Sequence, residues 1–215
     1  MSELPNISEI EADCLMEIFN IGVGHAAAAM SNIVNEEVRM SVPSLHFTTR
    51  SDAADELGAD LSLCGISQHY QGAYATEAIL MFPETASFEI VRMMVGDMIP
   101  AHELGAMERE AMCEIGNIVL NACVGTLANM FEKDLIGSLP VFRVGSSQHI
   151  LNPADEEDDP ILLMLRIDFS LERQQIEGYL AFILDMSALR DLREQIRIYI
   201  SRLEAGIAPV GLSMP

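Results

Sequence analysis

The sequence predicts an α+β fold in which one unit, helix–three strands–helix, is used twice with a pseudo-two-fold relation between the copies. Three observations carry this. A polar triad, Asp13, Glu17 and Asn20 followed by Pro43, recurs as Glu110, Glu114, Asn117 and Pro140, shifted by 97 residues at every position. Each triad lies in a long stretch of helical periodicity. Each is followed by short β-rich runs and then a second helical stretch. The two halves, about 8–98 and 102–203, are expected to merge into one domain over 1–204, since no flexible linker stands near residue 100. A continuous antiparallel sheet with both long motif-bearing helices on one face would let each half bury its apolar surface. The tail 205–215 lacks periodicity and is expected to be mobile.

The elements follow in order. Ser8 with Glu11 three residues on reads as a capping box, opening a helix over 8–35. Gly22 and Gly24 inside it cost roughly 1 kcal/mol each against Ala, so a packing reason is expected. Val38 to Thr49, Leu61 to His69 and Ala73 to Phe82 read as strands. The acidic segment Ser51 to Asp60 separates the first two, and Gln71-Gly72 is the expected hairpin turn between the others. Pro83 ends the third strand. Glu84 to Met98 reads as a helix with Phe88, Val91, Met94 and Val95 on one face. After Pro100 the order begins again: helix His102 to Lys133, strand Ser138 to Val144, polar loop Ser146 to Pro160, strands Ile161 to Phe169 and Gln175 to Leu184. A closing helix, Ser187 to Leu203, buries Leu189, Leu192, Ile196, Ile200 and Leu203.

Composition narrows the function classes. The 215 residues carry a net charge of −21, which argues against nucleic acid or an anionic membrane surface as partner. A soluble partner with cationic contact residues fits better, although the same charge also serves solubility. Four cysteines at 14, 64, 113 and 123 form no CxxC pair and read as buried free thiols of a reducing cytosol. The acidic N-terminus is not a signal peptide, and no membrane-spanning helix is expected. The five histidines show no metal-ligand spacing, and His25 reads as packed or partly exposed. The run Asp155 to Asp159 lacks the Gly and alternating ligands of an EF-hand, so a solvated loop is expected.

The triad carries the chemistry. Positions 0, +4 and +7 fall within an arc of roughly 60° on a helix, so each triad is a narrow polar stripe. Asn is a poor residue for a helix interior, yet it sits there twice, three residues after a Glu. A carboxamide can hold a water by accepting its hydrogen and aim it at an electrophile, but cannot usefully deprotonate it. That suits an electrophile already activated, such as an acyl phosphate, for which positioning an in-line water supplies much of the rate. The neighbouring Glu suits capture of a Lys or Arg on a partner. A single exposed Glu–Asn pair would be unremarkable; duplication of the whole spacing is what singles it out. Pro43 and Pro140 read as structural, fixing the chain where helix gives way to strand.

At these residues the sequence resembles the CheC/CheX/FliY family of chemotaxis phosphatases, whose signature is Asp or Ser, three residues, Glu, two residues, Asn, twenty-two residues, Pro. Asp13, Glu17, Asn20 and Pro43 match it fully. Glu110, Glu114, Asn117 and Pro140 depart at the first position, so the first site is the expected stronger one. The doubled organisation is of the CheC type. The resemblance implies a cytoplasmic phosphatase acting on a phosphorylated CheY-type response regulator. Glu17 and Glu114 would engage a cationic side chain of the regulator. Asn20 and Asn117 would orient the attacking water, with Asp13, Glu110, Pro43 and Pro140 in support. The resemblance implies no cofactor for this chain, since Mg2+ would sit on the regulator. It also implies pairing with the receptor deamidase CheD, on a surface the sequence does not mark. The rival reading is a non-catalytic module that binds the regulator or CheD. The internal repeat can replace a homodimer, so a monomer is expected.

Overall fold

The computed structural model describes residues 4–5, 7–58, 61–72, 75–95, 101–152, 159–171, 174–184 and 186–206. The elements are α1 (Glu9–Val34), β1 (Val38–Thr49), α2 (Arg50–Leu57), β2 (Ser62–Gly72), β3 (Thr76–Pro83) and α3 (Glu84–Val95). There follow α4 (Ala101–Met130), β4 (Leu135–Gly137), β5 (Val141–Ser146), α5 (Ser147–Leu151), β6 (Ile161–Leu171), β7 (Gln174–Leu184) and α6 (Met186–Glu204). The acidic run 155–159 lies outside the described residues apart from Asp159, and so does the tail beyond Gly206.

The described strands form one antiparallel sheet in the order β1-β6-β7-β3-β2, with β4 and β5 both paired to β2. The order reads the same from either end when β1, β2 and β3 are exchanged for β4/β5, β6 and β7. A pseudo-two-fold axis therefore passes between β3 and β7. The outer strand of each half pairs with the hairpin of the other half, so the halves are interlocked through the sheet.

Both faces of the sheet are covered. Leu80, Phe82, Leu163, Leu165 and Leu180 face a core shared with α1, α3, α4 and α6. Ile79, Met81, Leu162, Met164 and Ala181 face a smaller core under α2 and α5. Burial on both sides is why the central strands are nearly continuous apolar runs. The sheet and the two long helices on one face match the expectation.

Several local expectations give way. The acidic segment Ser51 to Asp60 contains α2, capped by the Thr49 hydroxyl, which accepts from Asp52 N; Ala53, Ala54 and Leu57 are its buried side. The polar loop Ser146 to Pro160 contains α5, capped by Ser146. Gln71 and Gly72 lie in the connection between β2 and β3, beyond the last pair Tyr70–Thr76, but they also extend β2 by pairing with Ile136 and Leu135 of β4. The strand expected over Ser138 to Val144 is split into β4 and β5 around residues 138–140. On α3, Ile90 and Val91 are buried while Phe88 is 41% exposed, which rotates the expected face; the side chains of Met94 and Val95 lie outside the described residues. Leu203, at the end of α6, is exposed.

Helix α1 begins with the expected capping box: Ser8 N donates to Glu11 Oε2 at 2.8 Å and Glu11 N to Ser8 Oγ at 3.2 Å. It ends on Asn35 in the left-handed conformation, φ 57°. Glu132, 97 residues on, takes the same conformation beyond α4, φ 53°. Of the two glycines, Gly22 has the packing reason: a Cβ there would lie 2.9 Å from Cys123 Cα on α4, whereas one on Gly24 would meet nothing within 4 Å. The segment Met107–Met130 of α4 is long and apolar enough by composition to cross a membrane, at mean hydropathy 1.4, and half of its most apolar window is buried in the fold. Its apolarity serves packing against α1, α3 and the sheet.

Candidate functional site

The two triads occupy equivalent places, each on a long helix beside a bulged strand. In the first half, β1 slips register against β6 between Ser41 and Ser44, so three steps on β1 oppose two on β6. In the second half, Ser138 is bonded to His69, through Ser138 N to His69 O at 2.8 Å, and Val141 is paired with Ser67. The same three-against-two slip results. Pro43 and Pro140 sit within these bulges and not, as expected, where helix gives way to strand. A bulge has no ladder bond for a proline to break.

The acids stand free. Asp13, Glu17, Glu110 and Glu114 are exposed, and among the described residues no hydrogen bond or ion pair ties them down. They remain available to an incoming cation. The second triad opens onto a cleft lined by Arg109, Glu110, Cys113, Glu114, Asn117, Leu139 and Pro140. Burial raises the Cys113 thiol, which keeps it protonated at neutral pH.

The two carboxamides differ sharply. Asn20 Oδ1 accepts from Val42 N at 2.9 Å. Its Nδ2 donates to Met16 O at 2.9 Å and Val42 O at 3.3 Å. Both hydrogens of that amide are thereby used inside the protein. Asn117 is held only through its oxygen. Its Oδ1 accepts from Asn121 Nδ2 at 2.8 Å and Gln68 Nε2 at 3.2 Å. Its oxygen is thereby taken, so the expected acceptance of a water's hydrogen gives way; its NH2 group has no partner among the described residues, and Asn117 lines the cleft.

Gln68, Tyr70 and Asn121 were not among the residues singled out in the sequence. The one available signal was Asn121 itself, a second helix-interior Asn four residues after Asn117 and so on the same face. Gln68 and Tyr70 come from β2, in the other half of the chain, and nothing local to the motif points to them. Among the described residues no group of three or more His, Cys, Asp or Glu side chains is arranged to hold a metal ion.

The model of the CheC-like family matches residues 10–46, the span from α1 through the first bulge. The chain is 24% identical over 201 residues to the CheY-P phosphatase CheC of Bacillus subtilis (strain 168), covering 89% of this chain and 96% of that protein. In fold it is similar to FliY of Thermotoga maritima, with a TM-score of 0.74 at 15% identity, covering 91% of this chain and 100% of the other. It is also similar to the FliM middle domain of H. pylori, with a TM-score of 0.57 at 11% identity, covering 88% and 99%. Paired motif, doubled fold and relatives together make this chain similar to proteins of the CheC-like family.

Proposed function

We propose that this chain is an aspartyl-phosphate phosphatase that dephosphorylates a CheY-type response regulator in chemotaxis signalling. The observation that carries the reading is the bare NH2 of Asn117, presented in an open cleft beside the unpaired carboxylates Glu110 and Glu114. Glu17 and Glu114 capture a Lys or Arg of the regulator by a charge-assisted bond. Asn117 donates to the oxygen of a water and leaves that oxygen a lone pair for the phosphorus. The water oxygen bonds to phosphorus as the phosphorus–oxygen bond to the regulator's aspartyl carboxylate breaks. Inorganic phosphate and the free carboxylate leave, and the water's protons pass to phosphate and solvent. Because the acyl phosphate is already activated, positioning does most of the work. Mg2+ belongs to the regulator in this scheme and supplies charge neutralisation there. Asp13 and Glu110 stand at the outer end of each stripe, and Pro43 and Pro140 shape the bulges.

The relative in Bacillus subtilis named as a CheY-P phosphatase supports this reading. A cytoplasmic location and a monomer, with the two halves acting as one domain, belong to the same proposal. A second reading has its own observation: the Asn20 amide is spent on Val42 and Met16, so the first motif suits docking of the regulator, or of CheD, without hydrolysis. Phosphate release from a purified phosphorylated receiver, with wild type, Asn20→Ala, Asn117→Ala and the double variant, decides between them. Acceleration by wild type that is lost with the carboxamides is the expected result. A rate unchanged by wild type with its cognate regulator overturns the enzyme reading.

A further inference from the structure

We infer that Gln68, Tyr70 and Asn121 form a positioning network for Asn117, and that its presence in one half only makes the second motif the site of turnover. The inference rests on the phosphatase reading above and adds which site acts and what holds it ready.

The polarity of the network is set from one backbone carbonyl. Ser138 O accepts from Gln68 Nε2 at 2.8 Å, so the Gln68 amide must turn its NH2 toward that side. The same NH2 reaches Asn117 at 3.2 Å, and only the oxygen of Asn117 can receive it. Asn121 Nδ2 donates to that oxygen as well. The Tyr70 hydroxyl lies 3.0 Å from Gln68 Oε1 and 3.1 Å from Asn121 Oδ1, and its one hydrogen, shared between the two oxygens, favours both amides in this sense. Gln68 and Tyr70 are buried. With its oxygen claimed twice, Asn117 can offer the cleft only its NH2.

The first half lacks every member. Asn121 corresponds to Gly24 at the 97-residue shift. Gly137 pairs with Tyr70 and Val141 with Ser67; their counterparts Met40 and Ser44 pair with Phe169 and Arg166. Tyr70 is therefore matched by Phe169 and Gln68 by Ile167, both buried and apolar. Gly137 is part of the arrangement: a Cβ there would lie 2.9 Å from the Tyr70 ring and 3.2 Å from Asn121 Oδ1, and its counterpart is Met40. Without side-chain partners, Asn20 turns to the Val42 backbone. The geometry thus ranks the two sites opposite to the match with the family signature.

Steady-state dephosphorylation of a purified phosphorylated receiver tests this, read as kcat and KM separately. Gln68→Glu keeps the shape but puts an acceptor against Ser138 O and Asn117 Oδ1. Asn121→Ala, on the exposed side of α4, perturbs the network without entering the core. Both should lower kcat, by about tenfold for Gln68→Glu and severalfold for Asn121→Ala, with KM within about twofold of wild type. Asn121→Ala added to Asn117→Ala should cause no further loss, since the network acts through Asn117 alone. If Asn117→Ala abolishes activity while Gln68→Glu and Asn121→Ala keep wild-type kcat, the network inference falls and the phosphatase reading stands. If Asn20→Ala removes more activity than Asn117→Ala, the assignment of turnover to the second site falls. If wild type itself releases no phosphate, it is the phosphatase reading that fails.

Discussion

Val42 and Leu139 stand at the same point of the two repeats, yet Val42 is 2% exposed and Leu139 is 86% exposed. Each precedes the proline of its motif inside an equivalent bulge. In the first half the bulge folds inward, Val42 enters the core, and Asn20 caps the Val42 backbone. In the second half Leu139 turns out to the rim of the cleft. The direction in which the bulge folds therefore separates a closed motif from an open one.

Removing side-chain bulk at these two positions should have unequal effects on stability. Val42→Ala deletes packed methyl groups and should cost about 1–2 kcal/mol, as small truncations in cores do. Leu139→Ala deletes a side chain already in water and should stay within about 0.5 kcal/mol of wild type. Urea unfolding of the two variants measures both. A larger loss from Leu139→Ala would mean that the second bulge also folds inward in solution.

The asparagines should divide in the opposite sense for stability and for catalysis. Asn20→Ala leaves the Val42 N–H and C=O without their partner in a partly buried setting, at a cost of about 1–3 kcal/mol. Asn117→Ala leaves Gln68 its bond to Ser138 O, so the loss should be below about 1 kcal/mol. Chemical denaturation of each variant, without any substrate, reads this difference. Equal losses would show that Asn20 is not the staple of its bulge.

Much of this molecule was legible in the sequence where a signal was local and repeated. The Ser8–Glu11 box opened α1 at the expected place, and β1 runs from Val38 to Thr49 as read. The triads stood out because their spacing recurs. What escaped had physical reasons. Helices α2 and α5 are 8 and 5 residues long, too short for periodicity to rise above their polar composition. The exchange of outer strands between halves depends on pairing such as Met40 with Phe169, which no local pattern encodes. The partners of Asn117 were hidden for the same reason. Gln68 and Tyr70 look like ordinary strand residues until β2 is placed beside β4 and β5. The inequality of the two motifs lies in that neighbourhood, in Ile167 and Phe169 against Gln68 and Tyr70, and not in the motif residues themselves.

The glycines of α1 offer a test of helix packing. Gly24 is exposed with open space around its Cα, so Gly24→Ala should stabilise the protein by about 0.5–1 kcal/mol through helix propensity and a less disordered unfolded chain. Gly22 gains the same propensity term. However, its Cβ would press on Cys123 Cα, a backbone atom that cannot rotate away. Overpacking of this kind costs about 1–3 kcal/mol, so Gly22→Ala should be neutral to destabilising by up to about 2 kcal/mol. Thermal unfolding midpoints that move in opposite directions would support the close approach of α1 and α4; two equal upward shifts would contradict it.

Glu11 links the start of α1 to α6 and gives the fold a defined response to acid. Its carboxylate accepts from Ser8 N and from Arg197 Nε, the latter at 2.9 Å. The Ser8 backbone N–H is the main cause that holds this carboxyl below its usual value of 4.5, with Arg197 adding to it against the opposing effect of burial. A carboxyl whose pKa is lower in the folded state contributes stability that is fully present above the unfolded value. That stability is lost as pH falls through the folded value. Glu11→Gln keeps an acceptor for Ser8 N but removes the charge. Wild type should therefore be more stable than Glu11→Gln at pH 6–7, and the gap should close as the solution is taken below about pH 4.5. Midpoints of thermal unfolding at half-unit steps from pH 7 to pH 3 trace this difference. A gap that stays constant with pH would assign the stabilisation to the shape of the capping box, and the charge of Glu11 would carry none of it.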